Sequence, residues 1–478
     1  MEKVSKTTCL YCAIGAVVTA IVASIALATQ QTVVAWIGCA AALLCLTGIA
    51  FFVRWRSPGA KSLWVGTAAG AAVLLAVQIV AGLSMRYQPA WDLDAIYGGA
   101  IEWVESGSFS GYTEYFQYFP NNLGGLLFFA AIFRPMHALG GTNYFAAAVI
   151  ANSVLVTGSV VLTVWIASRW YGTSGAVWTL AALLLCPPVW FMGAVFYTDT
   201  LSMIYPVAIL AGYIRLTQTR GARQYAWAVA VGLILAAGMR IKFTVLIAFI
   251  AVCIDAVARL RRRVWLPIGV ALAIAIGGYA AVGMIFYPRF LDPAEAARMN
   301  TPISHWIMMG LRGNGGYNPA DYAFTRSFSD PALRNAAIRG EIRARLHALG
   351  GGGLLQMFGT KWAVCFGDGT FVLDSFLDDT PLMRSAAHEW VMRDGRYFVW
   401  YNRMAQAVWN ALLVLCSVSA ARGVFRARRG FPAAVAVLAV TGIALFALLW
   451  ESSSRLVLNF LPMVVLAASG AWNRTAAD

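Results

Sequence analysis

Repeated apolar runs of about 20 residues constrain this chain more than any other feature of its sequence. Each run is long enough to cross the roughly 30 Å hydrocarbon core of a bilayer as a helix. Hydrophobic residues make up 60% of the 478 residues and charged residues only 12%, and the mean hydropathy is +0.69. This composition excludes a soluble globular protein, and the sequence predicts an all-α polytopic membrane protein.

The apolar runs predict about twelve transmembrane helices. We place them near residues 8–29, 33–53, 63–84, 143–168, 174–191, 199–215, 224–240, 241–258, 264–287, 403–422, 431–450 and 454–473. A further apolar segment, 121–139, contains Arg134, Pro135 and His137. Counting it as a span would put basic loops on both sides of the membrane. We therefore expect a helix that lies in the membrane interface.

Arginine and lysine collect in short loops between the apolar runs, at residues 54–61, 215–223, 259–263 and 422–429. Such loops are typically cytoplasmic, which predicts that both termini are cytoplasmic as well. Of the 21 acidic residues, only Glu2, Asp255 and Asp478 fall on that side. We expect a multi-pass protein of a bacterial plasma membrane, in contact with membrane lipids, whose larger polar segments face outward. The net charge of +15 does not indicate nucleic-acid binding, because Arg and Lys collect in these short loops. No nucleic-acid partner is expected, since no basic face outside the membrane carries stacking aromatics.

Two carboxylates, Asp92 and Asp94, follow closely on the apolar run that ends at residue 84. A carboxylate at a membrane face is costly unless it is solvated, paired or used. One interpretation is that the pair caps the helix that follows, since Asp is a common N-cap residue. The other is that one carboxylate is a general base, while the other orients it or holds a divalent cation.

Further polar residues are predicted at the same outer level. Tyr197 and Asp199 begin one span, and Arg455 begins the last one. Arg240 and Lys242 lie in the outer turn between two short spans. The three cations either extend to lipid headgroups or bind a phosphate, for which Arg and Lys are both suited.

The order of several short motifs resembles that of the GT-C glycosyltransferases across residues 63–475. The motifs are Trp91-Asp92-x-Asp94, Tyr115-Phe116-x-Tyr118-Phe119-Pro120-Asn121-Asn122, Tyr197-Thr198-Asp199, Lys242-x-Thr244, and Arg455 followed by Pro462. More narrowly, the chain is similar to bacterial membrane proteins grouped with protein O-mannosyltransferases and aminoarabinose transferases. A non-spanning helix in the first outer loop is a hallmark of that fold.

The resemblance implies transfer of a sugar from a polyprenyl-phosphate donor to a cell-envelope acceptor on the outer face. Asp92 or Asp94 would be the catalytic base. Lys242 and Arg455 would contact the donor phosphate, and Arg240 is added for its place in the same outer turn. The residues expected to contact substrate are Tyr97, Tyr118, Asn121, Tyr197, Asp199 and Trp306, although the aromatic ones also fit an interfacial belt. Whether the protein uses a divalent cation as a cofactor stays open, and the candidate ligands are Asp92, Asp94 and Asp199.

The same resemblance implies that the chain has four parts. Residues 1–62 form two accessory transmembrane helices, and 63–287 form the catalytic core with its outer loop 85–142. Residues 288–402 form a large extracytoplasmic loop, and 403–478 form the last transmembrane helices. Three alternatives stay open at this point. They are a transporter or flippase of lipid-linked sugars, a polysaccharide ligase or polymerase with a polyprenyl-diphosphate donor, and a non-catalytic envelope scaffold.

Overall fold

The computed structural model describes residues 2–29, 32–108, 110–259, 261–377, 381–426 and 431–472. Up to residue 259 it contains α1 (Glu2–Thr29), α2 (Val33–Arg56), α3 (Ala60–Ser84), α4 (Trp91–Ser106), α5 (Thr113–Tyr118), α6 (Leu123–Ala138), α7 (Tyr144–Leu184), α8 (Thr198–Leu201), α9 (Ile204–Gln218), α10 (Ala222–Ile241) and α11 (Val245–Ala258). Beyond it lie α12 (Arg262–Phe290), α13 (Pro293–Met299), α14 (Ile303–Met309), α15 (Pro319–Arg326), α16 (Pro331–Phe366), α17 (Leu373–Leu377), α18 (His388–Val391), α19 (Phe398–Arg426), α20 (Ala434–Leu449), α21 (Arg455–Leu458) and α22 (Leu461–Ser469). The expectation of an all-α chain is confirmed.

Eight helical segments in the described ranges are long and apolar enough to cross a membrane. They are α1 from residue 6, α2, α3, α7, α8 together with α9, α10, α12 and α19. Two shorter apolar helices, α11 and α20, occupy two further positions where spans were expected. Helices are favoured here because each satisfies its own backbone hydrogen bonds in a solvent that offers none. The count of about twelve spans stays a prediction.

A single glycine separates two of the expected spans. Helix α7 extends from Tyr144 to Leu184 and has a kink at Gly172, which adopts φ 68° and ψ −168°. This backbone conformation is outside the helical region and is accessible mainly to glycine. The helix is therefore broken at the point where the sequence predicted a boundary between residues 168 and 174.

The first outer loop contains the expected separate helix. Helix α6 occupies residues 123–138, within the segment predicted to be helical but not to span. The inner face of α6 is apolar, and its side chains Leu123, Phe129 and Phe133 are buried. A Cβ atom at Gly124 would lie 1.9 Å from the carbonyl oxygen of Arg240, so this glycine permits α6 to pack against the end of α10.

The large outer loop packs down onto the helices that precede and follow it. Helix α16 of this loop begins at Pro331 and is broken at Gly350. In its first part Arg345 pairs with Glu341, with Nε 2.8 Å from Oε1. In the second part of α16, Trp362 donates a hydrogen bond of 2.8 Å to the carbonyl of Ala444 on α20.

The N-terminal helix is joined to the rest of the bundle by a buried polar cluster. Asp255 on α11 accepts hydrogen bonds from Tyr11 of α1 (3.1 Å), Tyr213 of α9 (2.9 Å) and Nε of Arg259 (2.6 Å). Arg259 in turn donates to the carbonyl of Phe431 at 2.7 Å. A buried carboxylate requires such partners, since each unpaired charge would carry a large desolvation cost.

The four-part division of the chain stays a prediction. Within the described residues, α1 packs closely against α19 and α20.

We expect Asp255→Ala to lower the free energy of unfolding by about 3 kcal/mol, because it leaves Arg259 buried without its carboxylate. Tyr213→Phe is the matched control, since it removes one hydrogen bond and keeps the ion pair, and it should cost about 1 kcal/mol. Unfolding of the full chain in detergent, followed by circular dichroism, measures both. Equal stability of Asp255→Ala and the unmodified protein would contradict this role.

Candidate functional site

The candidate site lies where the start of α4, the start of α8, the end of α10 and the start of α21 meet. The Asp92 carboxylate is held by two tyrosine hydroxyls. Tyr115 on α5 donates to Oδ1 at 2.7 Å, and Tyr197 donates to Oδ2 at 3.0 Å. Asn122 fixes the first of these by donating to the Tyr115 oxygen at 2.6 Å. Each carboxylate oxygen accepts one of these bonds and keeps a further lone pair for a proton.

The start of α4 holds Asp92 in place. Asp92 is in the first turn of the helix, where the helix dipole favours a negative charge. The preceding residue, Trp91, has φ 51°, in the left-handed region that a non-glycine side chain rarely adopts. Its indole is 78% exposed, so burial of the ring does not offset this strain. Strained backbone of this kind is concentrated at binding and catalytic sites.

Asp94 lies on the same turn but has a different partner. The Tyr112 hydroxyl is 3.3 Å from both of its carboxylate oxygens. Gly98 makes room for this tyrosine, since a Cβ there would lie 2.2 Å from the Tyr112 oxygen. Burial raises the pKa of Asp94, and the hydrogen bond from Tyr112 opposes that shift. The two carboxylates are thus held separately, and Asp92 is the one that contacts Tyr197.

Two cations and a second acid surround Tyr197. The Lys242 ammonium forms an ion pair with Oδ1 of Asp199, whose carboxylate is buried. The guanidinium carbon of Arg455 lies 5.3 Å from the centroid of the Tyr197 ring. Of the predicted site residues, Asp92, Tyr197, Asp199, Lys242 and Arg455 therefore come together.

A strained loop supports the Arg455 side of the site. Phe371 and Val372 have φ 58° and 49°, and a β-branched residue in this region is unusual. The Asp368 carboxylate holds the loop by accepting from the Val372 amide at 2.9 Å and from the Ser454 hydroxyl at 2.8 Å. Just beyond the loop, the ring of Phe376 lies 5.4 Å from that of Tyr197 and 6.0 Å from the Arg455 guanidinium.

Two further charged side chains near the site, Glu451 and Lys361, were not among the predicted site residues. Burial raises the pKa of Glu451, an effect that the nearby charges of Arg455 and Lys242 reduce and that of Asp92 increases. Lys361 is fully buried, and its ammonium donates to the carbonyls of Gly310 (2.9 Å) and Trp450 (2.6 Å). Burial lowers the pKa of Lys361 to about 8. A single cation in the apolar stretch 354–366 was the sequence signal that could have identified it.

The structure places Arg240 away from this cluster. Its Nη1 donates to the Tyr287 hydroxyl at 2.5 Å, and its guanidinium carbon lies 3.6 Å from the Tyr279 ring centroid, so the side chain faces α12. Tyr97 is likewise directed into an aromatic cluster, with ring centroids 5.3 Å from Phe196 and 5.8 Å from Phe133.

The remaining predicted substrate residues lie along the outer loops. Asn121 donates to the side chain of Asn122 at 2.9 Å. Tyr118 contacts the guanidinium of Arg326 at 3.5 Å, and the ring of Trp306 stacks on Trp450 at 6.0 Å. The roles assigned to all these residues stay predictions.

A divalent cation has little support from the arrangement of acids. In the part of the chain that the structure describes, no group of three or more His, Cys, Asp or Glu side chains could hold a metal ion. Asp199 is paired with Lys242, while Asp92 and Asp94 bind separate tyrosines. These residues do not form the oxygen-rich cage that a divalent cation requires.

We expect Lys361→Met to destabilise the protein by about 2 kcal/mol, because two buried carbonyls, those of Gly310 and Trp450, would lose a charged donor. Thermal unfolding of the full chain in detergent measures the change. Lys61→Met, at an exposed lysine, is the control and should leave the unfolding temperature unchanged. A Lys361 variant as stable as this control would show that the ammonium does not hold the loop.

Comparison with known proteins places the chain in one family. No curated protein matches it. Two crystal structures of ArnT from Cupriavidus metallidurans, one bound to undecaprenyl phosphate and one in the apo state, are similar at 17% and 16% identity. Each match has a TM-score of 0.35 and covers 87% of this chain and 78% of ArnT, and such a likeness identifies no site residue. The model of a family described as conserved hypothetical integral membrane protein matches residues 7–476, and the chain belongs to this family of integral membrane proteins.

Proposed function

We propose that this protein is a membrane glycosyltransferase that moves a sugar from a polyprenyl-phosphate donor to a cell-envelope acceptor. The observation that carries the proposal is the position of Tyr197, between the Asp92 carboxylate and the Arg455 guanidinium. A base for an acceptor hydroxyl and a cation for a leaving phosphate thereby contact the same tyrosine. Transfer of a glycosyl group requires these two functions on opposite sides of the anomeric carbon.

In the proposed reaction the acceptor oxygen attacks the anomeric carbon while its proton passes to Asp92. The bond from that carbon to the phosphate oxygen breaks, and the polyprenyl phosphate leaves with the electron pair. Attack opposite the leaving group inverts the configuration. The phosphate gains negative charge as the bond breaks, so Arg455 and Lys242 would bind the transition state more tightly than the bound donor.

The Lys242–Asp199 pair supports a role in donor binding. Both side chains are largely buried, and Oδ2 of Asp199 is buried without a hydrogen-bond donor among the described residues. A buried acceptor without a partner costs about 1–3 kcal/mol, which suggests a site that is completed by substrate. We assign this oxygen to a hydroxyl of the donor sugar, beside the phosphate held by Lys242.

The distribution of charge supports an outward-facing site. The short loops rich in arginine are those expected in the cytoplasm, and the site residues lie at the opposite ends of the helices. A lipid-linked donor would present its phosphate at this level, because its polyprenyl chain stays in the hydrocarbon region. The acceptor would then be reached from the extracytoplasmic side.

We expect Asp92→Asn to reduce transfer by about a hundredfold or more, since the amide cannot accept the proton. Asp94→Asn is the matched control, because Asp94 lies on the same turn but bonds to Tyr112 instead of Tyr197, and its loss should be much smaller. The assay uses purified protein in lipid with radiolabelled polyprenyl-phosphate sugars and candidate envelope acceptors. Transfer that survives in both variants would contradict a base on α4. Loss only in Asp94→Asn would move the base to that residue.

We expect Arg455→Gln and Lys242→Gln to lower kcat more than they raise the KM for donor, because the charge they stabilise develops in the transition state. Removal of a preorganised donor of this kind typically costs about a hundredfold in kcat. Arg240→Gln tests the alternative cation, whose side chain faces α12, and should leave both constants near their original values. An Arg240 variant as impaired as Lys242→Gln, with the fold intact by gel filtration, would reverse the assignment.

A further inference from the structure

A second cleft, separate from the candidate site, is lined by three arginines. It has a volume of about 140 Å³ and lies between α5 and the segments α13, α15 and α16 of the large outer loop. A single water occupies roughly 10–15 Å³ on this measure, so the cleft holds a group of about ten non-hydrogen atoms. The lining residues used below are Tyr118, Arg298, Arg326, Ser327, Ser329 and Arg334, which we call the arginine cleft.

The charge of the arginine cleft is strongly one-sided. Its lining contains three guanidinium groups and no carboxylate. Two acids lie just outside it: Glu295 pairs with Arg298, with Oε2 2.9 Å from Nε, and Asp330 caps the start of α16. The hydroxyls of Ser327 and Ser329 add neutral hydrogen-bonding groups to the lining.

Arg334 gives the clearest sign that a ligand is missing. Its residue is only 4% exposed, and Nη1 donates to the carbonyl of Arg298 at 2.8 Å. Its Nε is buried and has no acceptor among the described residues. A buried cationic donor without a partner is costly, and an anion in the cleft would satisfy it.

Arg326 is held in position for the same ligand. Its guanidinium carbon lies 3.5 Å from the ring centroid of Tyr118 and 4.4 Å from that of Tyr322. Stacking on two rings fixes the plane of the guanidinium and leaves its N–H groups directed outward along that plane. Because no acidic side chain in the lining pairs with it, the charge is available to an anion.

The arginine cleft is connected to the candidate site through one short helix. Tyr115 of α5 donates to Asp92, and Tyr118, one turn later, lines the cleft. Tyr322 also joins the two, since its ring lies 6.1 Å from Phe119 of the same segment and faces Arg326. Asp92 and the cleft therefore both contact the segment that contains α5.

We propose that the arginine cleft binds a phosphate group of the acceptor and so orients a separate hydroxyl of that acceptor toward Asp92. This inference rests on the proposed function. Three guanidinium groups and two hydroxyls match the several oxygens of a phosphate monoester or diester better than a single carboxylate. The phosphate belongs either to a lipid headgroup or to a water-soluble chain, and the two sources share this chemistry.

Modification of arginine by phenylglyoxal, mapped by mass spectrometry, tests the cleft without any assay of transfer. The full chain is labelled in dodecyl maltoside micelles, which contain no phosphate, with inorganic phosphate or with chloride at matched ionic strength. Phosphate is expected to protect the exposed Arg298 and Arg326, while Arg339, exposed on α16 outside the cleft, reacts equally in both. Nanodiscs that contain phosphatidylglycerol form a second arm, in which protection without added phosphate identifies a lipid headgroup as the source.

Arg334→Gln should weaken protection of Arg326 by phosphate roughly tenfold in apparent affinity, whereas Arg339→Gln should not change it. If Arg334→Gln does not fold, Arg326→Gln, at an exposed position, replaces it and Arg298 becomes the reporter. Equal labelling of Arg298 and Arg326 in every arm would overturn the cleft as a phosphate site. Because labelling needs neither donor nor transfer, this result would not affect the proposed glycosyl transfer. Survival of transfer in both Asp92→Asn and Asp94→Asn would contradict the proposed base but would not affect the cleft.

Discussion

The hydrogen bond from Tyr197 to Asp92 connects parts of the chain that are far apart in sequence. It joins the start of α4 to the turn before α8, and the face of the same ring lies toward Arg455 at the start of α21. A carboxylate and a guanidinium of this kind can be partly buried only because each has a fixed partner. The relative positions of three helix ends depend on this contact, and so does the arrangement proposed for catalysis.

Other buried charges follow the same physical rule. Asp199 is paired with Lys242, Asp255 with Arg259, and Lys361 with two backbone carbonyls. The contacts of Asp199 and Lys361 join separate elements, and so do the hydrogen bonds that Asp255 accepts from Tyr11 and Tyr213. The cost of burying these charges is therefore offset by bonds that also fix the packing. Three charged side chains keep a buried atom without a partner within the described chain: Oδ2 of Asp199, Nε of Arg334 and Nε of Arg240. The first two lie in the places where we propose that ligands bind, and the third belongs to a side chain that faces α12.

Much of the site could be anticipated from the sequence because polar residues are rare in an apolar chain. Asp92, Asp199, Lys242 and Arg455 were each predicted at the end of a helix, and they do come together. Arg240 had the same signal, yet its side chain faces Tyr279 and Tyr287. The direction of a long side chain depends on which neighbouring helix offers aromatic rings, and this information is not contained in hydropathy.

The residues that sequence reasoning missed share a different property. Lys361 and the three arginines of the cleft belong to the large loop between α12 and α19. The segments of this loop do not have the length and apolarity that identify a span. The roles of these residues depend on contacts with residues distant in the chain. Lys361 contacts Trp450, and Arg326 contacts Tyr118. No local pattern of charge distinguishes these arginines from the other arginines on the same helices.

The sequence by itself determined that the chain is a bundle of apolar helices with its polar residues gathered at helix ends, because the membrane excludes unpaired charge and unpaired backbone groups. Only the tertiary structure decided which of those ends meet. It gave Asp92 and Asp94 different tyrosine partners, turned Arg240 toward α12, and brought three loop arginines beside the helix that supports Asp92. The reason is physical: partition into a bilayer depends on the composition of each segment, whereas the partners of a charge depend on how the segments pack.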